Sequence, residues 1–305
     1  MKKADDSTLP NRQYGLVRRE AQKMLDESGA MGRFPTPVAD IMAAAKVKIV
    51  QDNVLDPGFL ARMRQKASSA LKRALSKVIG LLDVGAQLVF IDRGVLLVKQ
   101  TFLKLHEAGH SVMPWQRDIY AVVEDCEKTL SPEIADQFDR EANVFASEIL
   151  FQIDSFTREA SECEFGIKTP LSLSKKYGAS IYASVRRYVS QNSRSCLVLV
   201  LNPPELKDGE GFRASLRRVV ASRLFLDTIG DLDWPDFFGP NDEIGALVPV
   251  GGRKMSSPRG IALRDGNGQL HECIAEAFTQ KHQVFILMHA VRTLTKKIII
   301  LPVSI

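Results

Sequence analysis

Cysteine is scarce in this 305-residue chain: four residues, Cys126, Cys163, Cys196 and Cys273, with no CxxC pair among them. That spacing excludes a zinc ribbon and a disulfide framework, and scattered thiols read as packing residues of a reducing compartment. No run approaches the roughly 20 apolar residues that a membrane helix needs. Lys2 and Lys3 are followed by no apolar stretch, so no secretion signal is expected, and the cytoplasm is the expected compartment. Neither sign of charge dominates. The formal net charge of +5 is mild basicity, compatible with nucleic acid nearby but not demanding it.

What is present is an ordinary globular composition, 45% hydrophobic and 25% charged, over a length that suggests about two domains. Leu16, Val17, Ala21, Met24 and Leu25 recur at helical spacing, and a second helix is expected from about 37 to 45, followed by a short strand. Residues 60–79 carry six basic side chains and no acid, a helix with a solvated basic face or a face for an acidic partner. Two strand-like runs, 78–83 and 86–92, precede a long helix from Val95 to Val112. Pro132, with Ser131 as N-cap and Glu133 in the first turn, opens another helix to about Phe151. A helix–turn–helix-like pair follows around Gly178. After residue 193 the texture turns β-rich, with strands expected at 196–202, 244–250, 260–264, 282–288 and 297–303 and a helix over 212–229. The fold class expected is α+β, in three segments: 1–165, 166–192 and 193–305.

Two of the five histidines stand in one short motif, His106-Glu107-Ala108-Gly109-His110. On a helix, positions i and i+4 share a face one turn apart, so two imidazoles can reach one metal and leave room for a third ligand and a water. Glu107 falls beside the open position, where a general base takes a proton from a zinc-bound water. Gly109 in mid-helix costs about 1 kcal/mol against alanine, which points to close packing against a neighbouring helix. The third ligand should come from another element. In the helix starting at Pro132, Glu141 interrupts the apolar stripe of Ile134, Phe138, Phe145 and Ile149. A core-facing carboxylate needs a metal or a partner, which favours Glu141; the alternates Asp139 and Glu148 read as solvated charges.

The segment Phe102–His110, FLKLHEAGH, followed by EANVFASEIL from Glu141, resembles the ImmA/IrrE metallopeptidases over roughly the first 190 residues. The resemblance implies a zincin-like helical domain with a small sheet, zinc held by His106, His110 and Glu141, and Glu107 as catalytic base. Manganese or iron also suits such a ligand set. It implies a site-specific protease whose partner is a helix–turn–helix repressor, with a non-catalytic regulatory or DNA-binding module as the rival. After His110, Ser111–Trp115 departs from the usual pattern, and Asp139 stands where many relatives carry glutamate. The C-terminal segment resembles a mixed α/β, GAF-like domain attached to some relatives. Tyr120, His271, His282 and His289 are candidate oxyanion donors, though each reads better as a packing or surface residue. Lys175, Lys176, Arg186 and Arg187 are expected to face outward from the helical pair, as contacts for a protein partner or for DNA.

Overall fold

The computed structural model describes residues 8–52, 80–83, 88–92, 96–119, 131–207, 209 and 211–294. The expected basic helix over 60–79, Tyr120, Cys126 and the strand-like segment 297–303 lie outside the described residues. The chain is mixed α+β and falls into two compact units, which among the described residues comprise 8–158 with 172–183, and 159–171 with 184–294. The expected divisions at 165 and 193 differ from these. Residues 159–171 belong with the second unit because the Ile167 N–H donates to Glu276 Oε1 at 2.6 Å and Phe165 stacks on Tyr188.

In the first unit, α1 (Asn11–Glu27) and α2 (Val38–Ala44) precede a three-stranded sheet of β1 (Lys48–Asp52), β2 (Gly80–Asp83) and β3 (Leu88–Asp92). β3 lies centrally, parallel to β1 and antiparallel to β2. Two longer helices follow, α3 (Leu97–Val112) and α4 (Pro132–Leu150). α3 packs on β2, β3 and α4, and α4 packs on α1. The α1 stripe of Val17, Ala21, Met24 and Leu25 is buried, as its period requires. α4 starts where its signals stand: Ser131 Oγ accepts the Ile134 N–H at 3.4 Å, with Pro132 in the first turn. Its far end is pinned by Gln152, whose backbone is left-handed with φ 47°. The Gln152 amide accepts the Gly32 N–H at 2.7 Å and donates to Arg33 O at 2.6 Å and Ala30 O at 3.1 Å. The loop after α1 is thereby tied to the end of α4. Next come α5 (Ser155–Ser161), α6 (Lys168–Tyr177) and α7 (Ile181–Ser190). The expected helical pair is α6 and α7, turning at Gly178 with φ +62°, where a Cβ would meet Pro35 at 3.0 Å.

Among the described residues, the second unit is built on a seven-stranded antiparallel sheet. Its strands are β4 (Cys196–Leu201), β5 (Glu205–Lys207), β6 (Gly211–Ala221), β7 (Phe237–Phe238), β8 (Arg259–Arg264), β9 (Leu270–Gln280) and β10 (Gln283–Leu294), with α8 (Arg223–Thr228) between β6 and β7. The order is β5-β6-β4-β10-β9-β8, with β7 on β6. One face carries the core: Leu197 and Leu199 of β4, Ala275 of β9 and Ile286 of β10, each fully buried. Two expectations are corrected here, and one strand is added. The stretch 212–229 is a strand for its first half, because Phe212, Ala214 and Leu216 alternate inward, and only its end is helical. Residues 244–250 contain a 3₁₀ turn, Gly245–Leu247, instead of a strand. β9 was not anticipated. Its inward positions are His271, Cys273, Ala275 and Ala277, too small or polar to register as an alternating apolar run.

Candidate metal centre

The centre begins with one close helix contact. A Cβ on Gly109 would stand 3.0 Å from the Phe145 ring and 3.4 Å from Ala142 Cα. Glycine therefore lets α3 lie directly on α4 at this point, and Ala142 is the matching small residue. Leu105 and Ala108 are buried on the same contact side. The crossing brings His106 and His110, one turn apart on α3, against Asp139 and Asn143, one turn apart on α4.

His106, His110 and Asp139 form a group of ligand atoms all within 4.8 Å of one another. The two Nε2 atoms are 3.1 Å apart. Asp139 Oδ1 lies 3.7 Å from the His110 Nε2 and 4.0 Å from that of His106. A cation at about 2.0–2.1 Å from each atom in tetrahedral array needs separations of about 3.4 Å, and these values bracket it. The Nδ1 atoms face acceptors: Asn143 Oδ1 at 3.0 Å for His106 and Gln116 Oε1 at 2.6 Å for His110. Each Nδ1 then carries the hydrogen, and each Nε2 presents a lone pair. Two lone pairs aimed at each other repel, and a cation between them removes that cost. The residues present thus fit a divalent metal; two imidazoles and a carboxylate suit zinc, and also iron or manganese.

The protonation states agree. Burial pushes His106 down to about 3, aided by the neighbouring His110 and opposed by the Asn143 hydrogen bond. Burial also lowers His110, against the Gln116 hydrogen bond and the Asp139 and Glu141 carboxylates. Both rings are neutral at pH 7, the form that binds metal, so their proximity to Asp139 is not an ion pair. Glu107 is buried on α3. Its carboxyl is pushed up to about 8, by burial first and by Asp139 second. A cation at the histidines would draw it back toward the carboxylate form.

Glu141 is placed differently from expectation. It is fully buried, as the interrupted stripe implied, but four hydrogen bonds surround its carboxylate. Oε1 accepts from Gln13 Nε2 at 2.7 Å and Gln137 Nε2 at 2.8 Å; Oε2 accepts from Trp115 Nε1 and Gln116 Nε2, each at 2.7 Å. The carboxylate is satisfied by partners, and Asp139 stands in the ligand group instead. Glu148, expected to be solvated, is buried as well, accepting the Tyr14 hydroxyl at 2.8 Å beside Arg18. Gln116 and Asn143 are not among the expected site residues. A sequence signal does exist for Asn143: Asp139 and Asn143 share a face one turn apart, the same spacing as the histidines. Gln116 carries no such pattern.

The other described candidates lie away from α3 in sequence. His271 is buried with its Nε2 3.1 Å from Asp265 Oδ2; His282 is exposed at the β9–β10 turn; His289 packs edge-on against Phe165. Lys175 is exposed and Arg186 half-buried. Lys176 extends over the Phe34 ring, 4.9 Å from its centroid. Arg187 does not face outward: it is buried, because the inner face of α7 is wide, taking in Ser184, Val185, Arg187, Tyr188 and Val189. Among the described residues, no helix is long and apolar enough to cross a membrane.

No family model matches the chain, and no curated protein does. A solved structure of a Mycobacterium tuberculosis transcriptional regulator is similar in fold, with a TM-score of 0.51 and 14% identity, covering 90% of this chain and 88% of that one. At that identity the likeness concerns the fold alone.

Proposed function

We propose that this chain is a metal-dependent peptidase, most simply a zinc enzyme, that cuts a regulatory protein of the helix–turn–helix repressor type. The observation that carries the reading is the convergence of two imidazole Nε2 atoms and the Asp139 carboxylate beside the buried acid Glu107. The HEAGH and EANVFA segments, similar to those of ImmA/IrrE peptidases, support peptide hydrolysis over other zinc chemistry. The regulatory substrate draws on that resemblance.

His106, His110 and Asp139 would hold the cation. When bound, such an ion supplies Lewis acidity, polarising a carbonyl and lowering the pKa of a water. Glu107 follows the first histidine directly on α3. It accepts the proton of the attacking water and delivers it to the departing amine nitrogen. Its enclosure keeps bulk water from competing for that proton. Asn143 and Gln116 hold the rings in the tautomer that ligation requires.

The test is incubation of the purified protein with zinc and a repressor encoded beside its gene, with the new peptide termini read by mass spectrometry. The wild type cleaves, and a chelator stops it. Glu107→Gln keeps one zinc per chain while cleavage falls by at least about 10²-fold. His110→Ala and Asp139→Asn lose or weaken zinc. Undiminished cleavage by the Gln variant sinks the mechanism.

A further inference from the structure

We propose that Gln116 is a positioning residue for the metal centre, locked in orientation by Glu141, and that this pair dictates which nitrogen of His110 stays unprotonated. The inference rests on the metal-centre reading above. Gln116 is completely buried. Its Nε2 donates to Glu141 Oε2 at 2.7 Å and to the Phe138 carbonyl at 3.3 Å. Both partners accept hydrogen bonds and offer none in return, so the amide cannot be turned end for end without setting its oxygen against them. Its oxygen is therefore the atom 2.6 Å from His110 Nδ1. That nitrogen must donate, and the lone pair is left on Nε2, facing His106.

Glu141 is itself immobilised. Trp115 Nε1 is a donor only, and it holds the same Oε2 that Gln116 uses. Gln13 of α1 and Gln137 of α4 hold the other oxygen. The chain of bonds runs from α1 and α4 through Gln116 to His110. A buried carboxylate that the sequence offers as a ligand thus acts one shell further out.

The experiment is NMR of metal-free protein labelled with ¹⁵N-histidine, which reports the protonated ring nitrogen directly, paired with zinc affinity by chelator competition. In the wild type, His110 is expected with hydrogen on Nδ1 and none on Nε2. Gln116→Leu lets the Nε2–H tautomer appear and weakens zinc about 10–100-fold, with circular dichroism checking that the fold persists. Glu141→Gln is the conservative rescue. Its oxygen can face Trp115 and Gln116 while its NH₂ faces Gln13 and Gln137, whose amides can turn, so tautomer and affinity are retained. An Nε2–H tautomer in the wild type overturns the proposal without any variant having to fold. So does a folded Gln116→Leu variant with tautomer and affinity unchanged. A wild type that shows the expected tautomer but binds no zinc would sink the peptidase reading and leave the His110 orientation supported.

Discussion

At the scale of single residues, the centre separates groups by what burial does to their charge. Glu107 titrates near 8 in the folded, metal-free protein, against an ordinary 4.5. Between those values the folded chain keeps a proton that the unfolded chain has released, so stability falls as pH rises through that window. Glutamine at 107 has no such proton. In chelator, Glu107→Gln should therefore gain on the wild type from pH 4.5 to 8, by an amount on the order of a few kcal/mol, and hold level beyond. Urea midpoints across that range measure it; a gap independent of pH refutes the assignment. His106 works in the opposite direction. Lowered from 6.5 to about 3, it stays neutral while the unfolded chain takes up a proton, so stability is lost as pH falls from 6.5 toward 3. Both proteins share that term, and it cancels in the comparison.

At the scale of elements, the α3–α4 crossing sets the spacing of His106, His110 and Asp139, and Gly109 permits the close crossing. Alanine there would raise helix propensity by about 1 kcal/mol. Its Cβ, however, would press on the fully buried Phe145 ring and on the α4 backbone at Ala142. Overpacking of this kind costs about 1–3 kcal/mol, and backbone cannot swing aside as a flexible side chain can. Gly109→Ala is expected to lower the melting temperature and to weaken zinc, because the helices part where the ligands meet. A variant that melts higher and binds zinc as before would show that the crossing has slack. The helical period alone marks α1, and in α4 the period coincides with a cap. The period fails over 212–229, where SLRRVVASRLF satisfies a helical period and a two-residue period alike. Pairing with β4 on one side and β5 on the other decides for the strand.

At the scale of the whole molecule, each unit has a core of its own. In the sheet unit the fully buried residues of β4 lie beside those of β10 and β9. Leu199 is a central member, paired with Ile286 and Val219. Leu199→Ala should cost about 2–5 kcal/mol, as other cavity-forming changes do, read from the urea unfolding of the full chain by far-ultraviolet circular dichroism. A loss below about 1 kcal/mol would mean that the site collapses to fill the space.

The sequence by itself determined the paired histidines and their spacing, because a turn of helix makes residues four apart neighbours whatever surrounds them. It also determined the glycine that admits a second helix and the caps that start that helix. Only the tertiary structure decided which carboxylate lies closest to the histidine Nε2 atoms in a group that could hold a metal. Asp139 and Glu141 are two residues apart on α4 and so point in different directions. Which of them meets α3 depends on how that helix is rotated about its axis, and the packing of Phe145, Ala142 and Gly109 sets the rotation. Glu141 meets donors from α1, from Trp115 and from Gln116. No local pattern could bring those residues together, because they are distant in the chain and adjacent only once it has folded.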